Sequence, residues 1–142
     1  MKDTSDPRLI RLSDTPLTLE RPSEDVRHHK VLDSDGNEVG RVADLFIDEQ
    51  ERKVRFLMVQ AGGFLGIGGE HLLIPIDAVK EVTGDHVVIG HSLEHIAGAP
   101  RYDPDLVEDD RYRAIYAYYG YAPFWGPGYI YPPTYPYFFG PR

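Results

Sequence analysis

The sequence predicts a mainly β chain, an all-β sandwich or small barrel followed by short helices and an aromatic tail. Three observations carry this expectation. Apolar runs of four to ten residues recur at close intervals between His28 and Ile89, separated by turn formers rather than by long helical stretches. The chain is 142 residues long and holds no cysteine, so a core of one-domain size must stand without disulfide staples. Its formal charge of −8 divides unevenly: residues 1–111 hold all 23 acids against 13 Lys and Arg, a formal −10, whereas residues 112–142 carry only Arg113 and Arg142. That last stretch also holds nine of the ten tyrosines, the single tryptophan and six of the twelve prolines.

Taken in order, Leu9-Ile10-Arg11-Leu12-Ser13 alternates briefly before Pro16 and Pro22 break the pattern, so residues 1–24 read as an arm or one edge strand. Lys30-Val31-Leu32, then Asp33-Ser34-Asp35-Gly36-Asn37, then Val39 to Asp48 place turn formers between two apolar runs, the pattern of a hairpin. Alternation sets Val42 and Phe46 on one side of the second strand and Leu45 and Ile47 on the other. After the polar turn 49–52, Val54-Arg55-Phe56-Leu57-Met58-Val59 is the most strand-forming window, with Val54, Phe56 and Met58 on one face and Arg55, Leu57 and Val59 on the other. Gly62-Gly63-Phe64-Leu65-Gly66-Ile67-Gly68-Gly69 interrupts it with five glycines in eight residues. His71 to Pro75 and His86 to Ile89 complete the strands. Helices are expected at 92–97 and 108–119, the second opening on Asp109 and Asp110, where carboxylates suit the helix dipole, and closing at Gly120.

Asp33-x-Asp-Gly-x-x-x-Gly40-x-Val42, Asp44 to Asp48, Val54 to Val59, and above all Gly63-Phe64-Leu65-Gly66-Ile67-Gly68-Gly69 running into Leu73-Ile74-Pro75-Ile76-Asp77-Ala78-Val79 resemble the PRC-barrel family. That family is the small β-barrel of the cytoplasmic domain of the photosynthetic reaction centre H subunit and of the C-terminus of the ribosome maturation factor RimM. The likeness covers about residues 25–95, and Ala99-Pro100-x-Tyr102-Asp103-Pro104 with Tyr118-Tyr119-Gly120-Tyr121-x-Pro123-x-Trp125 resembles the extension of stand-alone bacterial members. The resemblance implies an arm at 1–24, a barrel domain at 25–97, a helical extension at 98–121 and a tail at 122–142. It also implies a non-enzymatic interaction or assembly module, with no catalytic residue and no cofactor to carry over.

The chemical motifs are weaker than they look. His91-Ser92-Leu93-Glu94-His95 fits H-x-x-E-H, but the zinc chemistry needs a third distant ligand and a cleft, so surface histidines on a short helix are expected. Asp33 to Asn37 misplaces the glycine of a calcium loop, and Gly66-x-Gly68-Gly69 leads to a strand with no Lys-Ser or Lys-Thr pair, unlike a phosphate loop. The structural alternative is backbone need at Gly62, Gly63, Gly66, Gly68 and Gly69. Pro132-Pro133-Thr134-Tyr135 fits a WW-domain ligand, a match close to chance in so Tyr- and Pro-rich a tail. Neither His28-His29 nor any serine has the context of a metal site or a nucleophile.

The expected function is therefore binding to a protein partner, with self-association as a homodimer, through Phe64, Leu65, Ile67, Tyr118, Tyr119, Tyr121, Phe124 and Trp125, because aromatic and apolar side chains anchor interfaces. The aromatic residues have an equally direct alternative use, covering the barrel of their own chain. A second class of reading is a small-molecule or metal-binding protein linked to stress response or photosynthetic complex assembly. The acidic body disfavours nucleic acid, the lack of any apolar run of roughly 20 residues disfavours membrane insertion, and the polar start points to the cytoplasm.

Overall fold

The computed structural model describes residues 9–14, 25–48, 53–62, 71–102 and 108–131, with only the backbone for 108–111. Seven strands form one sheet: β1 (Leu9–Arg11), β2 (Lys30–Leu32), β3 (Glu38–Asp48), β4 (Lys53–Ala61), β5 (His71–Pro75), β6 (Val79–Val82) and β7 (His86–Ile89). Two helices follow, α1 (Leu93–Ala97) and α2 (Glu108–Tyr119). The strand order is β5-β4-β3-β2-β7-β6, and β1 pairs with β3. Neighbours are antiparallel except β2 and β7, which run parallel. The sheet curls into a barrel-like body whose ladder is not closed, the Ile76–Ala78 turn joining β5 to β6.

β3 is the spine. Its first half takes β2 and its last three residues take β1, while β4 follows its other edge along most of its length. The N-terminal segment thus supplies an edge strand, Leu9 opposite Asp48 and Arg11 opposite Phe46. The hairpin between β2 and β3 forms as its turn residues require. Gly36 adopts φ +89, a conformation that costs a side-chain-bearing residue roughly 1–2 kcal/mol. Asp33 N–H donates to Asn37 O at 2.8 Å across the turn.

Simple alternation along β3 and β4 is broken. The β3/β4 register shifts between Val42 and Asp44 and again between Phe46 and Ile47, where Ile47 pairs with Val54 and Arg55 is the extra residue. A bulge turns consecutive side chains toward a shared side and re-aims them. As a result Leu45, Phe46 and Ile47 are all buried, as is every residue from Val54 to Val59. Burial on both faces requires cover on both, and α2 supplies part of it.

Among the α2 side chains described, Tyr112, Ile115, Tyr116 and Tyr119 are buried, the i, i+3, i+4, i+7 stripe of a helix lying on a sheet. Phe56 stacks on Tyr112 with ring centroids 5.4 Å apart and meets Tyr116 at 5.1 Å. Such ring pairs add about 0.5–1.5 kcal/mol each beyond their buried area. The segment at Arg101 and Tyr102 continues along β5, with Tyr102 N–H donating to His71 O at 3.1 Å and the Tyr102 ring set edge-on to Phe46. No helix among the described residues is long and apolar enough to cross a membrane.

Among the described glycines whose surroundings are defined, the closest backbone approach lies at Gly40, between Val31 and Ala61 in the ladder. A Cβ there would lie 2.1 Å from Gln60 O, so β3 and β4 must separate to admit it. Gly40→Ala is expected to lower stability in urea unfolding by about 1–3 kcal/mol, the cost typical of overpacking, whereas Gly84→Ala, where a Cβ meets nothing within 4 Å, should stay close to wild type.

Candidate functional site

The site is built where the chain turns back after α2. Gly120, at φ +86, donates to Tyr116 O at 2.9 Å, and Tyr121 N–H donates to the same oxygen at 3.0 Å. A left-handed residue at this position ends helices and reverses the chain, and glycine adopts it without steric cost. Residues 121–131 then form a strip without regular secondary structure. Gly126 N–H donates to Pro123 O at 3.0 Å, and Gly128 turns again at φ +77. At the end of the strip, Tyr129 donates its hydroxyl to Asp77 Oδ2 at 2.9 Å and Tyr131 donates to Val54 O at 3.0 Å. Ile130 between them points outward, 82% exposed.

Arg55 lies under this strip. The β4 bulge directs it and Phe56 toward the C-terminal segment, Phe56 meeting α2 and Arg55 meeting the strip. Its guanidinium carbon is 4.3 Å from the centre of the Phe124 ring and 5.7 and 5.6 Å from those of Tyr129 and Tyr131. On the sheet side Arg55 Nη2 donates to Asp48 Oδ2 at 3.2 Å, and both side chains are buried. Lys53 adds a second cation, 5.2 Å from the Tyr131 ring centre. Trp125 sets its ring edge-on to Phe124 and to Tyr116, with Arg113 5.6 Å from its centre. A desolvated cation on an aromatic face gains about 2 kcal/mol or more.

The polar groups of this floor are imperfectly matched. Arg55 Nε and Asp77 Oδ1 are buried without a hydrogen-bond partner. Burial pushes the Asp77 carboxyl above its ordinary range, against the opposing pull of the Tyr129 hydrogen bond and the Arg55 charge. Burial likewise raises the Tyr129 phenol, and the neighbouring Asp77 raises it further. Tyr129 therefore stays neutral and donating.

A second aromatic group gathers the histidines. Ser92 caps α1, its hydroxyl accepting from His95 N–H at 3.1 Å, so His91 lies before the helix rather than within it. The His91 and His95 rings stack 5.2 Å apart, and His95 stacks on Tyr118 at 4.4 Å. Tyr118 donates its hydroxyl to His95 O at 2.7 Å, while His91 Nε2 meets the Tyr121 hydroxyl at 2.9 Å. Tyr119, buried, packs edge-on to both imidazoles. Both histidines are half-buried in this stack rather than displayed on the surface. Burial lowers the His91 pKa, with the charges of His95 and Lys80 adding to the shift. Among the described residues no group of three or more His, Cys, Asp or Glu is placed to hold a metal ion.

The remaining motifs have structural partners. Asp33, the first residue of the calcium-like run, accepts from Asp35 N–H, Asn37 N–H, Asn37 Nδ2 and, across the fold, Leu93 N–H at 2.9 Å. These bonds overcome the cost of burial and hold its carboxyl below the usual range. Ser13 binds the buried Asp44 carboxylate through its hydroxyl. His29 ties β2 to Thr83 O at 3.1 Å, and His28 is exposed at φ +76. Gly62 N–H donates to Val39 O at 2.9 Å. Phe64, Leu65, Ile67, Gly63, Gly66, Gly68 and Gly69 lie outside the described residues, as does Pro132-Pro133-Thr134-Tyr135.

The structure thus brings Tyr118, Tyr119, Tyr121, Phe124 and Trp125 together on their own chain. Sequence reasoning had not singled out Arg55 and Asp77. The available signal was a cation inside the apolar run Val54 to Val59 and the acid closing the Ile-Pro-Ile-Asp step.

A curled β body of this topology, carrying the glycine loop and the Ile-Pro-Ile-Asp step, is that of a small barrel module. The chain belongs to the PRC-barrel family, whose domain matches residues 20–91. No curated protein matches the chain. The matched segment contains Arg55 and Asp77, whereas α2 and the aromatic strip lie beyond it.

The raised Asp77 pKa has a definite sign. An acid whose folded pKa exceeds its unfolded value near 3.8 contributes stability that is complete below 3.8 and is lost as pH rises through the folded pKa. Asp77→Asn, which keeps an oxygen for Tyr129, is therefore expected to raise the melting temperature at pH 7 and to lose that advantage toward pH 3. An Asn variant less stable than wild type at pH 7 would show that the carboxylate charge is needed there.

Proposed function

We propose that the chain is a self-associating protein-interaction and assembly module built on a PRC-type barrel, acting by binding rather than by catalysis and without a cofactor. The observation that carries this reading is the aromatic strip held over Arg55. It concentrates Phe124, Trp125, Tyr129 and Tyr131, residue types that dominate binding hot spots, on one face of a barrel-family domain. The acidic groups most buried among the described residues support it as well. Asp33, Asp44 and Asp48 are committed to backbone amides, a serine and an arginine, which are structural uses. The −10 of residues 1–111 favours a protein surface over a phosphate backbone as partner.

Affinity purification of the tagged full chain from its own cells, beside Phe124→Ala/Tyr129→Ala/Tyr131→Ala, tests the reading. Specific co-purifying protein or untagged copies of the chain are expected, reduced about tenfold or more in the variant, as loss of hot-spot aromatics dictates. Recovery of the same set at the same yield from both proteins would contradict the strip as docking surface. Recovery of the tagged chain alone would contradict an interaction module altogether.

A further inference from the structure

The first residue of the strip is held by a histidine that is itself stacked on another. His91 follows β7 and is fixed through its backbone, Ser34 N–H donating to His91 O at 3.0 Å beside the Gly90 N–H bond to Ala78 O at 2.8 Å. Its Nε2 meets the Tyr121 hydroxyl at 2.9 Å, and its ring lies 5.2 Å from that of His95 with 18° between the planes. His95 stacks in turn on Tyr118 at 4.4 Å, and Tyr119 closes the group edge-on to both imidazoles. The group therefore joins the end of β7, α1, the last turn of α2 and the root of the strip. Two imidazoles in face contact pack well while at most one is charged, because two imidazolium rings this close repel in a half-buried setting.

The surroundings do not offset that repulsion. The charges that bear on His91 are those of His95 and of Lys80 on β6, both of the sign its own proton would bring. Lys80 lies across the residue before it, since a Cβ on Gly90 would come within 2.5 Å of Lys80 Cε. Among the described residues neither histidine belongs to an ion pair. The Asp33 carboxylate accepts from Leu93 N–H and from its own turn, Asp77 accepts from Tyr129 and acts on Tyr121, and Glu94 on α1 is exposed. Arg101 acts on Tyr119. Burial raises the phenols of Tyr119 and Tyr121, so both stay neutral over the range in which histidines titrate.

We propose that the His91–His95 stack is an acid-sensitive latch on the root of the strip: with both rings neutral it holds Tyr121, and with both protonated it parts and frees Tyr121 to Trp125 while Tyr129 and Tyr131 keep their bonds to the body. The split falls between the histidines, because the Tyr118 face favours a cation and retains His95, whereas His91 turns to water and releases the Tyr121 hydroxyl. Burial first, then His95 and Lys80, hold His91 below its ordinary 6.5 in the closed form. The open form takes the proton more readily, so closure is complete above 6.5 and is lost as pH falls through the lower value of the closed form. As regulation of docking the latch rests on the strip being the surface proposed above.

Trp125 is the only tryptophan and lies against Phe124 and Tyr116, so its fluorescence reports the strip root without a label. Full-length wild type, His91→Gln and His95→Gln are followed by tryptophan emission, circular dichroism and histidine ring-proton NMR from about pH 8 to about pH 5. The expected result is a reversible red shift of wild-type emission below pH 6.5 that tracks the His91 signal with the circular dichroism unchanged, and its loss in both variants. Tyr121→Phe, which removes the hydroxyl that His91 holds, stands in for a histidine variant that does not fold; there the histidines still titrate but the emission no longer follows them. A wild-type emission flat across the range, a shift that survives in any of these variants, or one that coincides with loss of the circular dichroism signal overturns the latch. No partner is present in this measurement, so the latch can fail while the docking reading stands, and the purification above can fail while the latch stands.

Discussion

Among the described residues four charged or strongly polar side chains are buried, Asp33, Asp44, Asp48 and Arg55, and Arg55 is the only cation. A guanidinium cannot be deprotonated to escape burial, so the fold around it must answer its charge. Asp48 answers from the end of β3, which places the ion pair at the β3/β4 bulge. Three aromatic rings of the strip answer from above. Removing one partner of a buried pair typically costs about 3–5 kcal/mol because the other charge remains uncompensated. The C-terminal segment is therefore bound to the sheet by electrostatics as well as by apolar burial.

The same logic distributes smaller anchors across the body. The Asp33 carboxylate gathers amides from its own turn and from the start of α1, which links the hairpin to the helix that precedes the C-terminal segment. Asp44, turned by the other β3 bulge, accepts from Ser13 just after β1 and so fastens the N-terminal strand. Bulges place Asp44 and Arg55 off a simple two-residue period. A family barrel thus acquires fixed polar points to which its terminal segments attach, and the strip is the segment with the largest apolar payload.

How much of this was legible in the sequence follows from the range of the forces involved. The turn at Asp33 to Asn37 and the helix at 108–119 ended by Gly120 rest on local chemistry, and both were readable from residue type and spacing. The family and its β-rich fold were readable from the glycine loop and the Ile-Pro-Ile-Asp step. Alternation failed along β3 and β4, because a bulge is decided by register against a partner strand, which no single strand encodes. The importance of Arg55 was hidden for the same reason: its partners Asp48, Asp77, Phe124 and Tyr129 are set together only by the fold. Tyr118, Tyr119, Tyr121, Phe124 and Trp125 were legible as a sticky set, but whether they face inward depends on the reversal at Gly120 and the bulge beneath them.

An aromatic strip thus covers a buried arginine. Proton NMR of the Arg55 side chain in the full-length protein tests it most directly. The expected signal is an Arg55 Nε–H that exchanges slowly with water, carries the upfield ring-current shift of a group lying on the Phe124 face, and shows nuclear Overhauser contacts to Phe124 and Tyr129. An Arg55 side chain with the averaged shifts and rapid exchange of an exposed arginine would show that the strip does not cover it.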